Sequence, residues 1–182
     1  SSDLREVTTK LIREHVDILI TTIEDMAQLF NIGCGQYSAD QIEKGDIGEL
    51  TDQDIKAFAE EVGEKFDARI VAITIRYPDS FEEHRWESAA MDSSGNFYRS
   101  PAVKPIVLMD RLGGGDTWNG GFYYGLLTAG FNAQGLEKGI LVGDAATRIK
   151  QTLMFDLPIV TKSEVQALLK ADVEGGGKRV SR

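Results

Sequence analysis

The stretch Asp110–Leu127, DRLGGGDTWNGGFYYGLL, determines the fold and the chemistry expected of this chain. The apolar run Pro105–Met109 predicts a buried strand before it, and Trp118–Thr128 predicts a helix that Gly130 ends. Between them stand three glycines and one acid, Asp116. Glycines let a ligand approach the backbone closely, and the first N–H groups of a helix attract anions. This order therefore predicts an anion-binding turn beside a carboxylate.

The turn has purely structural interpretations as well as a chemical one. Three glycines are equally typical of a flexible turn, and Asp116 of an ordinary helix N-cap. The dinucleotide pattern GxGxxG fails because Trp118 stands where its last glycine would be, and no GK[ST] follows for a Walker loop. Gly120 and Gly121 are expected to let the helix pack closely on the sheet. Since an anion nest beside a proton-accepting carboxylate suits phosphoryl transfer, that reaction is the hypothesis.

The rest of the chain alternates helices with apolar strands. Strands are expected at Val16–Thr22, Arg69–Ile75 and Pro105–Met109, a hairpin at Arg85–Met91 with Asn96–Ser100, and helices at Leu4–His15, Glu24–Phe30, Thr51–Phe66, Leu136–Thr152 and Lys162–Leu169. This alternation predicts a parallel sheet covered on both faces, an α/β fold in one domain over residues 1–182. Because the main sheet has few strands, an edge strand should lack a partner, and more chain or a partner is expected beyond Ser1.

Composition narrows the class of protein. The chain has 182 residues, 42% of them hydrophobic, which fits one domain with a core and argues against disorder. Its net charge of −9 argues against a nucleic-acid surface, although Lys178–Arg182 is basic. A single cysteine, Cys34, excludes an internal disulfide, and the distant His15 and His84 argue against a zinc site. Without a bilayer-spanning run or a signal-peptide pattern, a cytoplasmic protein with no membrane partner is expected.

The segment Asp110–Asp116 closely resembles the second signature of the ribokinase/PfkB family of carbohydrate kinases. With YGLL downstream, it is most similar to the 2-keto-3-deoxygluconate kinase branch. Ile20–Phe30 and Ile70–Arg76 (IVAITIR) resemble the family's segment after a central strand and its "vvvTlR" strand. Asp144–Ala146 and Asp156–Pro158 resemble its adenine-side helix and closing segment. The resemblance spans nearly the whole chain and implies the C-terminal part of a three-layer αβα, Rossmann-like fold.

The resemblance implies roles for the residues of the turn. Asp116 matches the family's catalytic base, which takes the proton from the sugar hydroxyl as it attacks the γ-phosphate. A helix N-terminus stabilises negative charge there, as that role requires. The N–H groups of Gly113, Gly114 and Gly115 match the anion hole that stabilises the transferring phosphoryl group. Asp110 resembles an acid that in some members helps to hold a monovalent cation, with capping or turn formation as an equal alternative.

Other positions are implied to bind the nucleotide. Thr74 and Arg76 match the nucleotide-side loop, where the guanidinium can fork onto phosphate, although a surface ion pair of Arg76 is an equal alternative. Asp144 occupies a position that contacts the nucleotide in relatives, often as Asn. An ordinary exposed helix acid is the alternative there. Trp86 and Trp118 are expected to pack in the core or on the surface rather than to stack on a base.

Some positions depart from the family's pattern. Its NxxE element, which orders Mg²⁺ and phosphate, falls on TIED, where Asn becomes Thr22 and Glu becomes Asp25. Asp25 is therefore the candidate Mg²⁺ residue, binding through water. The glycines usual after the "TlR" strand are absent in Arg76–Asp79, and Phe155 stands before Asp156 where relatives often have glycine.

Taken as a whole, the resemblance implies an ATP- and Mg²⁺-dependent sugar kinase that phosphorylates 2-keto-3-deoxygluconate. The partner is then a small sugar substrate, and the full-length enzyme is expected to be a homodimer. Because the family's sugar-binding motif and lid belong to the other half, this half is expected to be inactive alone. Two alternatives stay open at this point: a kinase for another sugar or a nucleoside, and a non-catalytic nucleotide-binding or interaction module.

Overall fold

The computed structural model describes residues 2–78, 83–101 and 106–173. Its residues divide into two units, which are described separately. The first comprises Ser1–Ile75 and Ser88–Arg99, and the second Arg76–Glu87 and Ser100–Arg182. The single domain over residues 1–182 stays a prediction. The basic segment Lys178–Arg182 lies outside the described residues. None of the described helices is long and apolar enough to cross a membrane.

The first unit contains four helices and most of the sheet. Its elements are α1 (Ser2–His15), β1 (Ile18–Thr22), α2 (Ile23–Phe30), α3 (Ala39–Glu43), α4 (Asp52–Phe66), β4 (Phe97–Arg99) and parts of β2 (Ile70–Pro78) and β3 (Glu83–Asp92). The strand order is β1-β2-β3-β4. β1 pairs with β2 in parallel, and the register places Thr22 opposite Thr74. β3 and β4 form the predicted antiparallel hairpin, whose turn includes Gly95 at a φ of 85°.

The polar and apolar pattern of α4 explains why this segment is a helix. Thr51 Oγ1 accepts the N–H of Asp54 at 3.2 Å, and Asp54 Oδ2 accepts the N–H of Thr51 at 2.9 Å. This capping box satisfies donors that the helix itself cannot pair. The apolar stripe of α4 is buried, namely Ile55, Phe58, Ala59, Val62 and Phe66. The helix forms as predicted, although it begins at Asp52 rather than at Thr51.

The apolar face of α1 is open. The helix forms as predicted, yet Leu4, Val7 and Leu11 are 69%, 55% and 52% exposed. β1 lies at the end of the strand order among the described residues, which agrees with the expected edge strand.

The second unit contains three helices and a short strand. These are β5 (Ile106–Val107), α5 (Gly114–Ala129), α6 (Ala133–Lys150) and α7 (Lys162–Val173), together with the remaining parts of β2 and β3. β5 runs antiparallel to the start of β3, with Val107 opposite Glu83. The prediction of a further parallel strand at Pro105–Met109 is therefore wrong, and the sheet is mixed. The chain leaves the ladder because the N–H of Met109 donates to Gln151 O at 2.9 Å.

The backbones of α5 and α6 are in direct contact. A Cβ added to Gly121 would lie 2.7 Å from Gly143 Cα, and one added to Gly125 would overlap the backbone of Gly139. We call these four residues the glycine seam. Gly121 thus packs on α6, so the expectation that it packs on the sheet is wrong. Gly120 is exposed and a Cβ there would meet nothing within 4 Å.

Aromatic side chains complete the α5–α6 interface. Trp118, Phe122 and Leu126 are fully buried. The rings of Trp118 and Phe122 stack with centroids 4.9 Å apart. Trp86 is also buried, at 5% exposure. The expectation that both tryptophans pack in the protein interior or surface, rather than standing ready for a base, agrees with these positions.

We expect Gly121→Ala to destabilise the chain by about 1–3 kcal/mol, because its Cβ would force two packed backbones apart. Gly120→Ala is the matched control, since its Cβ enters open space. We expect that variant to be stabilised by about 0.5–1 kcal/mol through the higher helix propensity of alanine. Urea denaturation of the two variants measures both effects. Equal changes at the two neighbouring positions would contradict the glycine seam.

We expect the Cys34 thiol to be unreactive in the native chain. Burial, with added repulsion from Asp54 and Glu61, raises the pKa of Cys34 from 9.0 to about 12. The neutral thiol thus contributes stability below pH 9.0, and that contribution is lost as the pH rises towards the folded pKa. Labelling with a disulfide reagent should be slow in buffer and fast in denaturant, with Cys34→Ser as the blank. Fast labelling of the folded chain would refute this.

Candidate active site

The glycine turn begins α5 earlier than predicted. Gly113 is the N-cap residue and has a φ of 71°, a left-handed conformation that disfavours other residues. The helix starts at Gly114 rather than at Trp118, and Gly113 O accepts the N–H of Thr117 at 2.9 Å. Asp116 is therefore the third residue of the helix. The alternative that Asp116 is the N-cap is wrong.

Asp116 carries the acidic side chain of the first turn of α5. Its side chain is exposed and lies in the first turn of α5. The N–H of Gly114 is used by the turn, where it donates to Arg111 O at 3.2 Å. The N–H groups of Gly115 and Asp116 belong to the set that an α-helix leaves without intrahelical partners. Donors for an anion and a proton-accepting carboxylate thus occupy one turn.

Asp110 fastens this loop to the segment after α6. Its Oδ1 accepts the N–H of Leu112 at 2.9 Å, and its Oδ2 accepts the N–H of Phe155 at 2.8 Å. These backbone hydrogen bonds, Leu112 first, together with the positive charge of Lys150, lower the pKa of Asp110. Of the two interpretations of Asp110, the contacts in the structure are those of turn formation.

Residues at the end of α6 support the glycine turn from below. Thr147 Oγ1 donates to Gly114 O at 3.2 Å within the buried interior. Gln151 O accepts the N–H groups of Met109 and Asp110, at 2.9 and 3.3 Å. Sequence reasoning missed these supports. The only signal in the sequence was a polar pair, Lys150-Gln151, at the end of an apolar helix.

Gly113 also lies against this support. A Cβ added to Gly113 would stand 2.6 Å from Asp156 O. The contact explains, together with the positive φ, why the position needs glycine. It also gives Asp156 a structural role in the closing segment.

Lys150 places a positive charge under the turn. Its side chain is fully buried, and Nζ donates to Leu153 O at 3.4 Å. The carboxylate of Asp110 already accepts two backbone N–H groups and feels the charge of Lys150. A further positive ion would be repelled by the ammonium group. The monovalent cation that the resemblance implied at Asp110 stays a prediction.

Asp144 lies inside the α5–α6 interface. It is 5% exposed, and its Oδ1 accepts the N–H of Trp118 Nε1 at 2.7 Å. The alternative of an ordinary exposed helix acid is therefore wrong. Arg76, the other nucleotide-binding candidate in this unit, is exposed on β2.

The remaining candidates lie together in the first unit. Thr22 and Thr74 are opposite each other where the parallel strands β1 and β2 run towards their carboxyl ends. Thr22 Oγ1 accepts the N–H of Asp25 at 3.0 Å, so the threonine is the N-cap of α2. Asp25 is exposed in the first turn of that helix. In the described part of the chain, no three acids, histidines or cysteines cluster as a metal site.

A groove of about 670 Å³ in the second unit includes Asp116 in its lining. The helices α5, α6 and α7 line it. Its apolar wall consists of Leu141, Val142, Ala146, Pro158, Val160, Val165 and Leu169. Lys138 and Lys162 lie over the ring of Tyr124 at its side, 5.6 and 6.0 Å from the centroid. A cleft whose lining combines an apolar wall with polar groups is the usual form of a small-molecule site.

The fold matches that of known sugar kinases. The chain aligns over 93% of its length with the 2-dehydro-3-deoxygluconokinase of Thermotoga maritima, with a TM-score of 0.75 and 24% identity. It aligns over 89% with the ribokinase of the same organism, with a TM-score of 0.54 and 21% identity. The chain has the ribokinase-like αβα fold. The resemblance to the ribokinase and PfkB kinases, most of all to the 2-keto-3-deoxygluconate branch, is confirmed.

Sequence comparison agrees with the structural one. The chain is 26% identical to the 2-dehydro-3-deoxygalactonokinase of Haloferax volcanii, an alignment that covers 96% of this chain and 55% of the relative. No protein-family model matches the chain. The chain thus spans about half the length of the relatives it matches, and it covers 46% of the Thermotoga maritima 2-dehydro-3-deoxygluconokinase. This partial coverage fits the predicted C-terminal portion of the fold.

We expect Asp110→Asn to lower the stability of the chain, because an amide offers one acceptor oxygen to two N–H donors. The lowered pKa of Asp110 means that its contribution is present above 3.8, the ordinary value, and lost as the pH falls through the folded value. Melting temperatures from neutral to acidic pH measure this. Asp46→Asn, at an exposed loop position, is the control. A variant that melts like the native chain at neutral pH would contradict the role of Asp110.

Proposed function

We propose that this chain is the nucleotide-binding and catalytic half of an ATP-dependent sugar kinase. The observation that supports this most directly is the placement of Asp116 in the first turn of α5, directly after the glycine turn and in the lining of the groove. Anion donors, a proton acceptor and a cleft are the parts that phosphoryl transfer requires. The sugar kinases among its relatives provide the second support.

In this proposal the glycine turn holds the transferring phosphoryl group. The N–H groups of Gly115 and Asp116, with the helix dipole behind them, stabilise the charge on its oxygens. We extend the predicted anion hole of Gly113, Gly114 and Gly115 in this way because the N–H of Gly114 already donates to Arg111 O. Gly113 then acts through its left-handed backbone, which directs the chain into the helix.

Asp116 is proposed to be the catalytic base. Its exposed carboxylate can accept the proton of the sugar hydroxyl while that oxygen attacks the γ-phosphorus of ATP. The bond from the γ-phosphorus to the bridging oxygen breaks, and ADP leaves with that electron pair. Positioning of the two substrates supplies most of the acceleration, since there is no covalent intermediate for the protein to form.

The apolar wall of the groove suits the adenine base of the nucleotide. A planar base would gain burial against side chains such as Val142 and Val165, with its phosphates directed towards Asp116. Thr74 and Arg76 remain proposed contacts of the nucleotide. Asp144 is proposed to act indirectly, because its carboxylate is buried against Trp118.

Mg²⁺ is proposed to be held by Asp25 and the phosphates of ATP. Magnesium sites in kinases use one or two carboxylates, waters and substrate oxygens, so the exposed carboxylate of Asp25 fits this ion. The ion would neutralise charge on the phosphates. Thr22, used as the N-cap of α2, is proposed to orient the first turn that carries Asp25.

The proposed acceptor is 2-keto-3-deoxygluconate. Two relatives are named for 2-keto-3-deoxy sugar acids, which differ as gluconate and galactonate forms. The first experiment is therefore a coupled ADP-release screen of the full-length gene product with both epimers, other sugars and nucleosides. Turnover with a nucleoside and with none of the sugars would identify a nucleoside as the substrate instead. Calorimetry of the 182-residue chain with ATP and Mg²⁺ distinguishes a kinase half from a non-catalytic interaction module, which would show no nucleotide signal.

We expect Asp116→Asn to lower kcat of the full-length gene product by about 10²-fold or more, because the general base is lost. The affinity for ATP should change little, since the amide keeps the shape of the turn. Asp40→Asn, a carboxylate in the first turn of α3, is the matched control and should retain turnover. ADP release under saturating substrates measures the effect. Near-normal turnover of the Asp116 variant would refute the assignment.

A further inference from the structure

A fully buried ammonium group lies beneath the glycine turn. Lys150 ends α6, its side chain is 0% exposed, and Nζ donates to Leu153 O at 3.4 Å. Burial of a charged lysine is costly unless the charge has partners. The position therefore needs a reason beyond packing, because an apolar side chain of the same length would fill it without that cost.

The turn that Lys150 binds after α6 also binds the carboxylate of Asp110. The charge of Lys150 acts on Asp110, whose two oxygens bind the N–H groups of Leu112 and Phe155. Leu153 O, on the same turn after α6, accepts from Nζ directly. Lys150 thus binds the turn after α6 directly, and that turn binds the loop before α5 through Asp110.

These two segments determine the shape of the glycine turn. Gln151 O binds the N–H groups of Met109 and Asp110, and Asp156 lies against Gly113. If the loop shifted, the first N–H groups of α5 would no longer converge on one anion. A fixed positive charge behind that turn also favours an anion in front of it.

We propose that Lys150 is a positioning residue whose buried ammonium serves as a built-in cation, fixing Asp110 and the turn after α6 so that the glycine turn binds phosphate without a bound monovalent cation. The inference deepens the proposed function and rests on it for the identity of the anion. It replaces the monovalent-cation site that the resemblance implied at Asp110. The ligand class at the turn is a phosphate group, and the specific expectation is indifference to potassium.

The test compares the 182-residue chain with Lys150→Met, which keeps the length and removes the charge, and Lys150→Arg, which keeps the charge. Lys56→Met, exposed on α4, is the control. Melting temperature and ATP affinity by calorimetry are measured in potassium, sodium and tetramethylammonium chloride at equal ionic strength. The native chain should give the same melting temperature and affinity in all three salts.

Lys150→Met should melt at a lower temperature than the control and bind ATP about tenfold more weakly, as loss of a supporting residue commonly does. Potassium should partly restore both quantities, whereas tetramethylammonium should not. Asp110→Asn combined with Lys150→Met should cost less than the sum of the single changes. Potassium rescue and this coupling separate a charge role from simple packing, which would give neither.

Three outcomes overturn the inference. The first is a potassium-specific rise in the melting temperature of the native chain, since a bound ion would then do this work. The second is a Lys150→Met chain with native melting temperature. The third is additive behaviour of the Asp110 and Lys150 variants. If Lys150→Met does not fold, the comparison of the three salts on the native chain and on Lys150→Arg still tests the inference. Absence of ATP binding in every salt refutes the proposed function, while the melting data still test Lys150.

Discussion

Close contact between two helix backbones is the constraint on which the second unit depends. Gly121 and Gly125 of α5 face Gly143 and Gly139 of α6, where no Cβ can be accommodated. Because the helices approach this closely, Trp118 can reach Asp144 and Thr147 can reach Gly114 O. The packing of the helices thus sets the position of the glycine turn. The position of Asp116 is a consequence of that packing as much as of the turn itself.

Support from below is the second requirement of the site. A glycine turn has little stiffness of its own, because glycine restricts the backbone less than any other residue. Here Asp110, Gln151 and Asp156 hold it from one side. The flexible residues that a ligand needs for close approach are therefore fixed by neighbours. These contacts argue against the alternative that the glycines form merely a flexible turn.

Much of the fold could be predicted because it follows local rules. The capping residues Thr51 and Asp54 indicate the start of α4, and the apolar stripe from Ile55 to Phe66 predicts its buried face. The hairpin was evident from its turn residues. The antiparallel pairing of β5 was not predictable, since a short apolar run carries no information on strand direction. The seam of α5 and α6 was missed because a glycine in a helix signals close packing only when its partner is known.

The candidate site, like the fold, could be predicted from the sequence only in part. Asp116 and the glycines were recognised because a motif carries them within a few residues of one another. Lys150 was missed because a lysine near the end of a helix is ordinarily a solvated residue that complements the helix dipole. Only its burial shows the difference. Asp144 had two interpretations that depended on exposure, which a single sequence does not give. The Trp118 contact rules out one of them.

The open face of α1 has a consequence for how copies of this chain meet. Leu4, Val7 and Leu11 offer an apolar stripe that would lose water by pairing with another such stripe. A chain with a net charge of −9 repels its own copies at distances within the Debye length, which opposes that encounter. The net negative charge of the chain therefore opposes association through the apolar face of α1. Added salt screens the charges and weakens this repulsion.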